Sequence, residues 1–199
     1  MLPEDGTLLR DRYKILSLLG HGGMGSVHLA YDTALDIQVA VKSNRNAEAS
    51  SQEQFLREAR LLATLRHPNL PRVIDHFIVG DTQYLVMDFI PGRDLETILK
   101  EEGIPPVQRI LDWTRQLIPA LTYLHNQNPP VIHRDIKPAN VKITPDGQAI
   151  LVDFGLAKAA DPTQATAAGA TGYTPGYAPP EQYGGAHTGP YSDQYSLAA

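Results

Sequence analysis

The sequence contains no cysteine in 199 residues, which removes disulfides, zinc–thiolate sites and thiol catalysis together. That fits a reducing compartment, with the cytoplasm as the expected location. Positive charge is not in excess either: 17 Lys and Arg stand against 22 Asp and Glu, a formal net charge of −5. Binding nucleic acid or an anionic membrane surface by bulk attraction needs the opposite balance. The deficit is spread along the chain, with 9 basic and 11 acidic residues up to position 90 and 8 and 11 after it, so neither part is a charged tail. Met1 is followed by Pro3, Glu4 and Asp5, without the basic and apolar stretch of a secretory leader, and no apolar run is long enough to cross a bilayer. No nucleic-acid partner and no membrane span are expected in this segment. The 42% hydrophobic content is enough for the core of one large domain or two small lobes.

The first ninety residues read mostly as strands. Tyr13–Leu19 is an apolar-rich run ending in glycines, Ser26–Tyr31 alternates, and Ile37–Val41 and Gln83–Phe89 are short and apolar. From Ser51 to Arg66, Phe55, Leu62 and Leu65 recur at helical spacing; Ser51 and Gln54 form a capping box and His67-Pro68 supplies the stop. After Pro91-Gly92 the character changes. Asp94–Lys100 is a short helix, and Pro105-Pro106 opens a longer one to His125, with Val107, Ile110, Leu111, Leu117, Leu121 and Leu124 as its apolar stripe. Pro119 is expected to kink or split it. Residues 159–190 are rich in Ala, Gly, Thr and Pro and read as a long functional loop. The expected architecture is α+β: a small β-rich lobe joined near residues 88–92 to a mostly helical one.

Four groups of residues carry chemistry. Gly20, Gly22 and Gly25 form a G-x-G-x-x-G pattern, but Val27–Tyr31 after it alternates like a strand. A dinucleotide-binding turn needs a helix there, so the loop is read as a flap between two strands whose backbone amides approach phosphates. Lys42 ends the apolar run Val39-Ala40-Val41. Glu58 shares the apolar face of the Ser51–Arg66 helix, where a carboxylate is costly unless paired, and Lys42 is its natural partner, with Arg57 or Arg60 at the rim as the rival. The run His133-Arg134-Asp135-Ile136-Lys137-Pro138-Ala139-Asn140 packs a carboxylate, an ammonium and an amide between two strand-like pieces. Asp153-Phe154-Gly155 follows the buried-looking Ile150-Leu151-Val152. Asn140 and Asp153 are hard oxygen ligands of the kind Mg2+ takes beside substrate phosphates.

In this order, the glycine loop, Val39-Ala40-Val41-Lys42, the helix glutamate, His133–Asn140, Asp153-Phe154-Gly155 and Pro179-Pro180-Glu181 resemble the protein kinase family, and most closely its bacterial eukaryotic-like serine/threonine members. The resemblance covers roughly residues 10–199. It implies a two-lobed kinase fold with an N-terminal extension at 1–9, an N-lobe at 10–90 and an incomplete C-lobe at 91–199. It implies ATP and Mg2+ as cofactors and Ser or Thr of proteins as acceptors. Gly20, Gly22 and Gly25 would cover the phosphates, Leu19, Val27 and Ala40 would enclose the adenine, and Lys42, fixed by Glu58, would hold the α- and β-phosphates. Met87 would be the gatekeeper, with Asp88, Phe89 and Ile90 as the hinge. Asp135 would accept the proton of the substrate hydroxyl, Lys137 would neutralise charge on the γ-phosphoryl group, and Thr174 would bridge the two. Asn140 and Asp153 would bind magnesium. Arg134 would pair with a phosphorylated Thr163, Thr166 or Thr171, which implies autophosphorylation and self-association for it.

Two departures stand out. Proline replaces the alanine of the family's Ala-Pro-Glu at Pro179, which an extended loop tolerates. The sequence also ends at Ala199, within the start of the helix that anchors the family's C-lobe, and the arginine that pairs with Glu181 in the family is missing. An excerpt of a longer kinase is therefore expected, whose bare chain is unstable or poorly active. The alternative functions are a catalytically impaired nucleotide-binding or interaction fragment and a small-molecule kinase; Lys137, Thr174 and the Pro179-Pro180-Glu181 loop disfavour the latter.

Overall fold

The computed structural model describes residues 3–22, 25–45, 56, 59–153, 158–159, 174–183 and 187–199. The chain divides into two units, one made of Met1–Arg66 and Pro71–Ile90, the other of His67–Leu70 and Pro91–Ala199.

The first unit is a six-stranded sheet with strands β1 (Leu8–Leu9), β2 (Tyr13–Gly22), β3 (Gly25–Asp32), β4 (Ile37–Arg45), β5 (Val73–Val79) and β6 (Thr82–Asp88). Their order is β1-β2-β3-β4-β6-β5, and every pairing is antiparallel. Alternation sets the faces: along β3, Ser26, His28, Ala30 and Asp32 are buried while the residues between them are half-buried. Leu9, Tyr13, Ile15, Ala30, Val39, Val41, Phe77, Tyr84 and Val86 form the core. Phe77 stacks between Tyr13 and Tyr84 at centroid distances of 5.7 and 5.2 Å. Asp32 is fully buried without being unpaired. Arg12 donates to both its oxygens at 2.8 and 2.7 Å, and the amides of Ala34 and Leu35 cap Oδ1. Arg12 and these amides hold the Asp32 carboxyl below its ordinary value.

Residues 59–64 are helical, and Ala59, Leu62 and Leu65 are buried, as the spacing predicts. The expected capping box and Glu58 lie outside the described residues. Residues 67–70 were expected to belong to the N-lobe at 10–90. They fold with the second unit, because the Leu151 amide donates to the Asn69 carbonyl and Asn69 Nδ2 donates to the Ala149 carbonyl, each at 2.9 Å.

The second unit contains β7 (Arg93–Asp94), α1 (Leu95–Glu102), α2 (Val107–His125), β8 (Val131–Ile132), a 3-10 turn (Pro138–Asn140), β9 (Val141–Ile143), β10 (Ala149–Leu151), β11 (Lys158–Ala159), α3 (Pro180–Tyr183) and α4 (Pro190–Ala198). Two small sheets run in the orders β10-β9-β7 and β11-β8. Asp94 caps α1 by accepting from the Thr97 amide at 2.8 Å, and Gly103 ends it at φ 78°.

Helix α2 corrects two expectations. Pro119 does not split it: the helix runs unbroken from Val107 to His125. Proline removes one hydrogen bond, while buried Trp113, Leu117, Ala120, Leu121 and Leu124 anchor the helix on both sides of it. The buried stripe is also narrower than expected. Val107, Ile110 and Leu111 are exposed, and Val107 and Leu111 project about a quarter to a third of a turn away from Leu117. Among the described residues, no helix is long and apolar enough to cross a membrane.

Candidate active site

The polar run His133–Asn140 emerges from the buried pair Val131 and Ile132 of β8 and leads into β9, a strand of the other small sheet, at Val141. Strands fix both of its ends, so its side chains are placed by rigid elements. Within it, Lys137 Nζ lies 2.9 Å from Asp135 Oδ2 and donates to Thr174 Oγ1 at 2.9 Å. Thr174 in turn donates to Asp135 Oδ1 at 3.2 Å. Asn140 Nδ2 closes the arrangement, donating at 2.8 Å to both the carbonyl and Oδ2 of Asp135. Asp135, Lys137 and Thr174, which the resemblance groups, therefore meet at one carboxylate, joined by Asn140, which was expected as a magnesium ligand. Asp135 and Lys137 keep side-chain exposures of 14% and 24%, so the group is sheltered but accessible.

Asn140 also ties the loop to the strand that leads into Asp153. Its carbonyl accepts the Val152 amide at 2.8 Å. Asp153 has φ 66°, the left-handed region that a non-glycine residue rarely occupies, and so does Arg134 at φ 69°. Such conformations persist where neighbours over-determine them, and they concentrate at functional sites. With Nδ2 donating to Asp135, Oδ1 is the acceptor atom of the Asn140 amide. The donor set of Asn140 and Asp153, one amide oxygen and one carboxylate, fits Mg2+, which takes few protein ligands and fills its octahedron with water and phosphate oxygens. Among the described residues there is no cluster of three or more His, Asp or Glu that could hold a metal alone.

The sequence reading missed the residue that supports this loop from below. Asp193, fully buried at the start of α4, accepts the amides of His133 at 2.9 Å and Arg134 at 2.8 Å, and His125 Nε2 lies 2.8 Å from it. His133 is itself buried, and burial pushes its imidazole below the ordinary value. Glu181, whose arginine partner was expected to be missing, accepts instead from Ser192 Oγ at 2.6 Å.

In the first unit, β2 and β3 continue as a paired hairpin into the glycine segment, with Gly20 opposite Val27 and Gly22 opposite Gly25. A register shift between Leu18 and Gly20 bulges the strand as it enters. Strand follows the glycines, as read from Val27–Tyr31, and the dinucleotide alternative is excluded. Gly25 has a backbone reason to be glycine: at φ 144°, an added Cβ would lie 1.8 Å from the Ser43 carbonyl oxygen. Leu19 is exposed, Val27 half-buried and Ala40 buried, and Lys42 is half-buried on β4, opposite Val27 on one side and Leu85 on the other. Met87 is 7% exposed at the end of β6. The Asp88 carboxylate is gripped by Arg72 Nε and Nη2 at 2.9 and 3.0 Å, and its amide donates to the Arg72 carbonyl. Phe89 and Ile90 follow, half-buried and outside any strand or helix. Glu58, Phe154, Gly155, Thr163, Thr166 and Thr171 lie outside the described residues.

Comparisons with known proteins agree with one another. The profile of the protein kinase domain family matches residues 13–199. Serine/threonine-protein kinase pkn2 of Myxococcus xanthus is 39% identical over 206 residues, covering 99% of this chain and 24% of the relative. Serine/threonine-protein kinase PknA of Mycobacterium tuberculosis is 39% identical over 205 residues, covering 99% of this chain and 47% of the relative. The chain thus spans between about a quarter and a half of the length of these curated relatives. The crystal structure of the Mycobacterium tuberculosis PknI kinase domain, solved as a cysteine-to-alanine mutant, superposes with a TM-score of 0.78 at 27% identity, covering all of this chain and 74% of that one. A match over nearly the whole chain, to a family whose motif order recurs here residue by residue, shows that this chain belongs to the protein kinase domain family and has its two-lobed α+β fold.

Proposed function

We propose that this chain is the catalytic part of a serine/threonine protein kinase that transfers the γ-phosphate of ATP to hydroxyl groups of protein substrates. The observation that carries the reading is the closed triangle of Asp135, Lys137 and Thr174. An acyl-transfer or glycosidic site would pair a nucleophile with a base or two carboxylates with each other. Here one carboxylate is held beside an ammonium and a hydroxyl, which suits orienting an alcohol toward an anionic phosphoryl group.

Asp135 accepts the hydrogen bond of the incoming hydroxyl and takes its proton as the oxygen attacks in line. Lys137 supplies a fixed positive charge where the phosphoryl oxygens gather negative charge. Thr174 holds the two at their separation and, as part of the segment that meets substrate, links their geometry to acceptor binding. Asn140 and Asp153 are the residues that would hold Mg2+, which neutralises phosphate charge when bound. Gly20, Gly22 and Gly25 bring backbone amides to the phosphates, Lys42 pairs with the α- and β-phosphates and Glu58 orients Lys42. Leu19, Val27, Ala40 and Met87 enclose the adenine, and the backbone of Asp88, Phe89 and Ile90 hydrogen-bonds it. Arg134 receives a phosphate on Thr163, Thr166 or Thr171, added by a second copy of the chain. An ATP-supplied, reducing cytoplasm suits such an enzyme without cysteines.

The test is transfer of label from γ-labelled ATP with Mg2+ to a generic protein acceptor, followed by phosphoamino-acid analysis. Acid-stable label on Ser or Thr, lost in both Asp135→Asn and Lys42→Met, is the expected result. Nucleotide binding without transfer, or label on small alcohols alone, overturns the reading.

A further inference from the structure

The left-handed conformation of Arg134, directly before Asp135, raises the question of what holds it. Its amide is taken by Asp193 Oδ1. Its carbonyl accepts a hydrogen bond at 2.8 Å from Gln182 Nε2, a side chain 48 residues away. That carbonyl belongs to the same peptide plane as the Asp135 amide, whose own acceptor is His133 Nδ1 at a long 3.4 Å. Gln182 therefore makes the shorter of the two contacts on the plane that joins Arg134 to Asp135. Its base is firm: in α3 its amide donates to the Pro179 carbonyl, and neighbouring Glu181 accepts from Ser192, which also receives the Gly189 amide at 3.2 Å.

We propose that Gln182 is a positioning residue for Asp135. By donating to the Arg134 carbonyl it stops rotation of the Arg134–Asp135 peptide, so the aim of the Asp135 carboxylate depends on the seating of the segment that carries both Thr174 and Gln182. Thr174 grips the loop by its side chains and Gln182 by its backbone, eight residues apart on one stretch of chain. A shift of that stretch would loosen both grips together. The proposal rests on the kinase reading for its catalytic consequence and on geometry alone for the clamp.

The experiment compares wild type with Gln182→Glu, which keeps the shape but presents no donor, Gln182→Met, which keeps only packing, and Gln182→Lys, which restores a donor. Far-UV circular dichroism verifies that all four are folded. Two quantities are read: kcat and KM for ATP in the labelled-transfer assay, and hydrogen–deuterium exchange at the Asp135 amide. The expected result is a kcat lowered tenfold or more in the Glu and Met variants, with KM for ATP within twofold and kcat largely restored by Lys. Exchange at Asp135 should quicken at least tenfold in the same two variants and not in the third. Exchange unchanged in both overturns the clamp, whatever the activity. A kcat equal to wild type, or a loss confined to KM, overturns the positioning role. A wild type that transfers nothing, while exchange responds as expected, refutes the kinase reading and keeps the clamp.

Discussion

Removing Asp193 should strongly destabilise the second unit. The side chain has no solvent exposure and is the acceptor for the His133 and Arg134 amides and the partner of His125 Nε2, all between 2.8 and 2.9 Å. Hydrogen bonds to a charged group contribute roughly 1.5–3 kcal/mol each. Taking away one side of a buried charged contact costs about 3–5 kcal/mol, because the partners stay behind unpaired. Asp193→Ala should accordingly destabilise by about 4 kcal/mol or more, a large part of the roughly 5–15 kcal/mol that holds a domain together. Asp193→Asn keeps one oxygen and turns an N–H toward a donor, so it should lose about 2 kcal/mol. Trp113, the sole tryptophan, is 5% exposed in α2, and its fluorescence follows unfolding of this unit in urea. The cycle with His125→Ala adds a sharper condition: the His125 effect should nearly vanish once Asp193 is gone. A loss below about 1 kcal/mol in Asp193→Ala, or full additivity with His125→Ala, would refute the reasoning.

Three further outcomes are expected. Gly25→Ala should lower the melting temperature of the first unit sharply, because its Cβ would meet the Ser43 carbonyl at 1.8 Å, whereas Gly20→Ala has nothing within 4 Å and should change it little; equal melting of the two variants refutes this. Stability should also fall as pH drops below the ordinary histidine value of 6.5, because burial depresses His133 and His28 in the folded chain while their unfolded counterparts take up protons. Each contributes a slope of at most about 1.4 kcal/mol per pH unit, so His28→Gln should make the decline measurably shallower in urea titrations at about pH 5 and 6.5. Asp32 acts lower down: its pairing with Arg12 stabilises fully above the ordinary carboxylate value of 3.8 and fades as pH falls toward the depressed folded value. Asp32→Asn should make that acid decline shallower, and an unchanged decline would contradict the assignment.

What the sequence revealed and what it hid divide along physical lines. Local alternation and glycine punctuation made β2, β3, β4 and β6 legible, and α1 was placed with its end short of the observed Glu102, since these signals depend on near neighbours alone. The polar run His133–Asn140 stood out because its chemistry is concentrated in a short motif, whereas Thr174 was reached only through the family resemblance and Asn140 was read as a magnesium ligand, not as a partner of Asp135. Strand β5 went unread because His76 and Asp75 interrupt its apolar pattern, and its place beside β6 is set by pairing, not by propensity. Asp193, His125 and Gln182 act across separations of 48 to 68 residues. Nothing in the local pattern of a helix announces that its polar side chain will satisfy a backbone group so far away. Pro119 shows the converse, a local signal that does not split the helix, whose buried residues lie on either side of it.

The most direct measurement is a single-turnover comparison of wild type and Asp135→Asn at saturating ATP and Mg2+, with nucleotide affinity measured separately on both. Equal affinity with a phosphoryl-transfer rate lower by roughly a hundredfold or more in the variant is the predicted result, the usual scale for losing a positioned proton acceptor. Transfer at the wild-type rate by Asp135→Asn would contradict the account.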